Sequence, residues 1–169
     1  MSQVPEPARL ADSGELVRLR DAAARWLLDR GIEQWGPGEL GVSVVEAQVR
    51  AGEWHVVRTD HGIVAALRLL RDDPFVWGDQ PPVAGYVHGL VADRVHGRGL
   101  GAALLDWAGE QVRRQGRPLL RLDCQEHNER LRAYYRREGF TEVGRSEDAT
   151  GTFRPVVRLE RPATRDGIA

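Results

Sequence analysis

The sequence predicts an α+β domain of three layers, a mixed twisted β-sheet flanked by helices. Two observations carry that expectation. The elements come in mixed order: two helices, a hairpin, one strand–helix–strand crossover, then two closing strands. A parallel crossover and antiparallel pairs within one short chain require a mixed sheet. The second observation is the run Tyr86 to Leu105, YVHGLVADRVHGRGLGAALL, which leads from an apolar β-prone segment through alternating glycines into a helix former. It is the middle of the crossover.

In chain order, residues 1–8 contain two prolines and are expected to be flexible. Asp12 or Ser13 can cap a helix to about Arg30, with Leu16, Leu19, Ala23, Trp26 and Leu27 at helical spacing and Gly31 as its stop. After the loop Glu33-Gln34-Trp35-Gly36, the tetrad Ser43-Val44-Val45-Glu46 reads as a capping box opening a short helix to about Arg50. Trp54–Thr59 and Ile63–Leu70 form a hairpin around Asp60-His61-Gly62. Asp72-Asp73-Pro74 breaks the pattern and the chain stays loop-like to Val83, acidic enough at Asp72, Asp73 and Asp79 to attract a cation. The central strand runs from about Gly85 to Val91, and the helix after the glycines from Ala102 to about Gln115. Leu119–Cys124 is the next strand, Asn128–Glu138 a helix stopped by Gly139, and Phe140–Gly144 with Thr152–Leu159 a closing antiparallel pair. The whole reads as one domain over 9–160, with a flexible tail over 161–169.

Composition narrows the function. With 169 residues, 41% hydrophobic, the chain can bury a core of its own. A formal net charge of −1 gives no global attraction to nucleic acid or anionic membrane. All 24 basic residues are Arg, so no Lys can serve as a covalent catalyst. The single Cys124 excludes an intrachain disulfide and a multi-cysteine metal site, and no metal is expected. No apolar run reaches the ~20 residues of a membrane span, and the N-terminal sequence lacks a signal-peptide core, so cytoplasmic residence is expected.

The glycine stretch points to an anion. Gly97, Gly99 and Gly101 let a ligand approach the main chain, and the first N–H groups of the following helix lack intrahelical partners. Three motifs compete for it. A plain flexible turn is the simplest. Gly97-x-Gly99-x-x-Ala102 also satisfies a dinucleotide fingerprint, with Asp123 downstream for a ribose. Against that, the charged turn Ala92–Val95 separates strand from glycines, and too little chain follows for a doubly wound sheet. A P-loop fails for want of Lys.

Two segments together resemble the GCN5-related N-acetyltransferases, the GNAT superfamily. Leu90-Val91, a turn and His96-Gly97-Arg98-Gly99-Leu100-Gly101 are similar to its cofactor-binding motif, with His96 where the family usually has Gln or Arg. Asn128, Tyr135 seven residues on, and the closing Gly139-Phe140 match its later helix. The likeness covers residues 84–145, and Leu131 departs from the common Ala.

The resemblance implies a GNAT-like fold splayed near Val91, and transfer of acetyl from acetyl-CoA to a primary amine of a small molecule or peptide by direct attack. It implies that Leu90 and Val91 lend main-chain groups to pantetheine and acetyl. Gly97, Arg98, Gly99, Leu100, Gly101 and Ala102 would cradle the pyrophosphate, with Arg94 and Arg98 near its oxygens. Asn128 would reach the pantetheine arm, and Tyr135 would be general acid for the leaving thiolate. A homodimer is compatible with it.

The proton acceptor for the amine stays open between Asp123, His88 on the central strand, and ordered water. Each side chain also has a plain structural reading: a carboxylate paired with Arg, a sheet histidine, and for Tyr135 a core aromatic. Trp35 and Glu33 are candidates for the acceptor wall, although a Trp that plugs the core is an equal reading. Cys124 and Asp123 face opposite sides of their strand, and the thiol is assigned no covalent role. A catalytically silent acyl-CoA-binding module and a nucleotide-binding oxidoreductase remain the rival classes.

Overall fold

The computed structural model describes residues 4–147 and 154–165. In chain order they form β1 (Glu6–Pro7), a 3-10 turn (Leu10–Asp12), α1 (Ser13–Leu28), α2 (Val42–Arg50), β2 (Trp54–Thr59), β3 (Gly62–Leu70), α3 (Pro74–Trp77), β4 (Ala84–Ala92), α4 (Leu100–Arg114), β5 (Leu119–Gln125), α5 (Glu129–Arg137), β6 (Thr141–Ser146) and β7 (Val156–Pro162). The strands make one seven-stranded sheet in the order β1-β2-β3-β4-β5-β7-β6. β4 and β5 are parallel, whereas β1/β2, β2/β3, β5/β7 and β6/β7 are antiparallel. The expected α+β fold, a mixed sheet flanked by helices, is therefore found. Among the described residues no helix is long and apolar enough to cross a membrane.

The chain divides into two compact units, Met1–Leu69 with Gly89–Leu104, and Leu70–His88 with Leu105–Ala169. In the first, helical spacing places Leu16 and Ala23 of α1 and Val45 and Val49 of α2 against Trp54 and Val56 of β2, Ile63 and Ala66 of β3, and Val91 of β4. Ile63 to Leu67 are all buried, the uninterrupted run of a strand covered on both faces. Both N-terminal caps differ from expectation. Asp12 makes no cap bond, because its Oδ2 is taken by Arg9 N at 2.7 Å and Arg58 Nη2 at 2.9 Å. The box at Ser43 and Glu46 does not form; α2 starts at Val42 behind an extended Gly41. Gly41 O already accepts from Val44 N and Val45 N, which closes the first turn before Ser43 could cap it. Residues 1–3 lie outside the described set, but Glu6 and Pro7 pair with Val56 and His55, which gives the expected flexible N-terminus an edge strand.

In the second unit the stretch read as loop contains α3, started by Pro74 in the first turn, where its fixed φ and missing N–H cost nothing. Its Trp77 is buried with Ala84 and Tyr86, edge to the Tyr86 ring at 5.8 Å between centroids. α4 lies close to its neighbours: a Cβ on Gly85 would run into the Val112 side chain, and one on Gly109 into the Ala163 carbonyl. Arg161 is 2% exposed, with Nη1 donating to Glu138 O at 2.7 Å and Nη2 to Asp106 Oδ1 at 2.9 Å. β7 thus continues through Pro162, past the Leu159 and Arg161 boundaries read from sequence, while Thr152, its expected start, lies outside the described residues.

Candidate functional site

The glycine loop is built by Asp93. Its Oδ1 accepts from Val95 N at 2.9 Å and His96 N at 2.7 Å, and its main chain bonds to Val64 O and Gly97 N. Those two N–H donors, His96 first, hold its carboxyl below the ordinary aspartate value. The glycines have separate jobs. A Cβ on Gly97 would strike Val64 O and meet Asp93 N at 2.7 Å, so that residue is small because backbone lies against it. Gly99 has φ +78, where side chains are strained, and nothing lies within 4 Å of where its Cβ would stand. Its outer surface is open. α4 then begins at Leu100, two residues before the Ala102 read from sequence; Leu100 N donates to Gly97 O at 3.1 Å, and Gly101 and Ala102 follow in the first turn of the helix. Arg98 is exposed, and the Arg94 guanidinium lies over the Trp26 ring, 3.5 Å from its centroid. His96 stacks on His61 at 3.9 Å. This donor set suits an oligophosphate, and such a group would lie on main chain rather than on side chains.

Leu90 is half-buried, and the Val91 side chain belongs to the core. Gly89 before them has φ +60 within the continuous β4, and a Cβ there would meet the Trp54 ring at 2.8 Å. Glu33 is exposed. Trp35 packs on the first unit's core with the Arg20 guanidinium 5.0 Å from its ring centroid, the packing role weighed for it above.

In the second unit the parallel ladder of β4 and β5 runs from Ala84↔Leu119 to Val87↔Leu122. His88 and Asp123 are the next residues on the two strands, and parallel neighbours project to the same side. His88 Nδ1 stands 3.9 Å from Asp123 Oδ1, and His88 Nε2 is 2.9 Å from Asp73 Oδ2. Asp123 Oδ1 is buried and accepts no hydrogen bond from the described residues. Burial is the main reason its carboxyl is pushed up to about 6, the charge of Asp73 adding to the rise and His88 opposing it. Each carboxylate faces a different ring nitrogen, the geometry of an imidazole bridging two carboxylates. A cation shared by both would take a single nitrogen. The sequence reading placed Asp73 in an acidic loop able to attract a cation and gave it no partner. Its signal, an Asp before a helix-starting Pro, says nothing of the partner that topology brings to it.

Cys124, on the other side of β5, is buried and its thiol is pushed up to about 12, chiefly by burial. It is therefore a protonated thiol at neutral pH. Asn128 is the N-cap of α5, its Oδ1 accepting from Leu131 N at 3.1 Å. Tyr135 is buried, its ring edge-on to Phe140 at 5.7 Å. No described residue hydrogen-bonds its hydroxyl. Burial, then the nearby Cys124, raises its pKa further above the ordinary phenol value, so the hydroxyl stays protonated at neutral pH.

Comparison with known proteins shows the family. The chain belongs to the acetyltransferase (GNAT) family, whose model matches residues 20–140. It is 32% identical over 153 residues to YesJ of Bacillus subtilis (strain 168), an uncharacterized N-acetyltransferase, covering 86% of this chain and 84% of that protein. A GNAT-family acetyltransferase from Listeria monocytogenes 4b F2365 superposes with a TM-score of 0.75 at 24% identity over 94% of each chain. The structure of yncA from Salmonella typhimurium with its cofactor acetyl-CoA superposes at 0.70 with 14% identity, over 100% of this chain and 98% of that one. The seven-stranded mixed sheet is thus the fold of an acetyltransferase family.

Proposed function

We propose that this protein is an acetyl-CoA-dependent N-acetyltransferase that acetylates a primary amine by direct attack within a ternary complex. Family membership supports acetyl transfer, and one observation carries the amine: the buried Asp123 carboxyl, raised to about 6, beside the His88 imidazole. An ammonium must lose a proton before it attacks, and a base with pKa near the working pH suits that step.

Acetyl-CoA would supply a thioester whose carbonyl accepts the amine and whose sulfur leaves as thiolate. The chain's own residues do the rest. Main-chain N–H groups between Gly97 and Ala102, other than those of Gly97 and Leu100 that bond within the turn, hold the pyrophosphate, and Arg98 adds charge at its edge. Leu90 and Val91 align the pantetheine through main-chain groups. A main-chain N–H near Leu90 or Val91 stabilises the oxyanion. Asn128 keeps the start of α5 in place, Tyr135 donates its proton to the thiolate, and Asp123 with His88 takes the proton from the amine.

The test is an amine panel, covering polyamines, amino acids, aminoglycosides and peptide N-termini, that follows free CoA thiol. Thiol release that depends on one class of amine supports the proposal. Tight acetyl-CoA binding with no release for any amine would instead identify a silent binding module, and binding of NAD(P)H without CoA an oxidoreductase.

A further inference from the structure

The side of the sheet that meets α3 carries charged side chains. Along β5, Arg121 and Asp123 project to that side, while Leu120, Leu122 and Cys124 are buried on the other. In register they meet Glu160 and Arg158 of β7, and directly opposed antiparallel residues share a face. Arg121 is fully answered: Nε donates to Glu160 Oε2 at 2.8 Å, and Nη1 to Gln80 Oε1 at 3.0 Å and the Tyr86 hydroxyl at 3.2 Å. Arg158 is not. Its guanidinium lies by the Trp77 ring, 5.4 Å from the centroid, and across Gly144 of β6, where a Cβ would strike Nη2. Among the described residues no carboxylate pairs with it, and its Nε is buried without a hydrogen-bond partner. The residue is half-buried, and Nη1 and Nη2 are not sealed as Nε is.

A guanidinium keeps its proton in a protein, and a partly desolvated cation is costly until an anion answers it. Here a ring and a stretch of main chain without a Cβ hold the group, and its two outer nitrogens stay unbonded by the described residues. That is the fork with which Arg takes a carboxylate through two parallel N–H bonds. One positive charge answers one negative charge, which favours a carboxylate over a doubly charged phosphate.

We propose that Arg158 is a specificity-determining residue for the acetyl acceptor, its Nη1 and Nη2 binding the carboxylate of an amine that also carries an acid group, as an α-amino acid does. The proposal rests on the acetyl-transfer reading and gives its acceptor a chemical class. Arg158 takes no part in proton transfer. It stands opposite Asp123 in register, so an acceptor anchored there lies in the row of the sheet that also holds the Asp123 and His88 pair.

The experiment compares each α-amino acid with its own α-amide, which keeps the size and the amine but removes the negative charge, by following free CoA thiol. Arg158→Gln should lower the acid-to-amide ratio of kcat/KM by about 10²-fold, with acetyl-CoA affinity unchanged. Taking the ratio in both proteins cancels the different basicity of the two amines. Gly144→Ala keeps the charge but drives a methyl into Nη2, the far end of a flexible side chain, and should lower the same ratio. It reads the anchor if Arg158→Gln does not fold. A ratio that Arg158→Gln leaves unchanged overturns the proposal, as does turnover confined to amines without an acid group. Calorimetric titration of the same pairs into the CoA-loaded protein separates the two readings. An acid that binds more tightly than its amide, with the difference lost in Arg158→Gln and no thiol released, would remove the acetyl-transfer reading and leave the carboxylate site standing. Equal binding for every pair overturns the site itself.

Discussion

His88 Nδ1 and Asp123 Oδ1 face each other across 3.9 Å at the end of the β4/β5 ladder, one residue beyond its last registered pair. The position follows from topology. Both strands continue past Val87↔Leu122, so the next side chains meet without a ladder hydrogen bond between their main chains. Burial there raises the Asp123 carboxyl to about 6.

A pH profile follows from that. As a proton acceptor Asp123 must be ionised, so kcat/KM for the amine should fall about tenfold per pH unit below pH 6. The free amine's own ionisation adds a second limb at higher pH. In Asp123→Asn only that second limb should remain, on a much lower rate. An acidic limb that persists in Asp123→Asn would remove Asp123 from the step.

The same carboxyl predicts an opposite effect on stability. Its folded-state pKa of about 6 lies above its ordinary 3.8, so the folded chain holds the proton more tightly than the unfolded one. Its contribution is most favourable below pH 3.8 and is lost as pH rises through 6. At pH 7.5 the ionised group costs the fold on the order of 3 kcal/mol. Asp123→Asn should therefore be more stable than the unaltered chain at pH 7.5, with the difference shrinking towards pH 4. Urea titrations at several pH values check it. A gain in stability bought with a loss of turnover is the usual sign of a functional buried charge.

The two loop glycines should separate by experiment. Gly97→Ala puts a methyl into Val64 O and the Asp93 main chain, which cannot retreat without unmaking the turn. It should cost about 2–4 kcal/mol of stability and cofactor affinity together. Gly99→Ala meets nothing in space and loses only at φ +78, about 1–2 kcal/mol. Its fold should survive with weakened acetyl-CoA binding. Thermal melts paired with calorimetric titration distinguish the two. Equal effects would mean that the loop is not shaped by Gly97 packing.

Much of this was legible in the residues themselves. Turn residues and β-prone runs located the hairpin and the central strand, and Asn128 with Gly139 bounded α5, each to within a few residues of Trp54–Thr59, Ala84–Ala92 and Glu129–Arg137. The caps at Asp12 and Ser43 were misread because the deciding partners are elsewhere. Arg58, 46 residues away, claims Asp12, and Gly41 O closes α2 early. Asp123 and His88 could be picked out by type and strand position, but Asp73 could not. Its role depends on a partner 15 residues on, reached only when α3 and β4 are both in place. Asp93 was passed over as part of a charged turn, although an Asp followed by a turn to glycine is the local signature of its Asx-type bonds.

Tyr135 offers the last separation between packing and chemistry. Its ring fits edge-on to Phe140, while its hydroxyl is bonded by no described residue. Tyr135→Phe keeps the ring contact and removes a hydroxyl that no described residue hydrogen-bonds, so stability should change little. If the hydroxyl protonates the leaving thiolate, kcat should fall by about 10²-fold with acetyl-CoA affinity little changed. The loss should be smaller for acyl donors with a more acidic leaving thiol, because such a thiolate needs less help. Comparing kcat for acetyl-CoA with that for a thioester of lower thiol pKa, in both proteins, reads this directly. An equal loss for both donors would assign Tyr135 to packing alone.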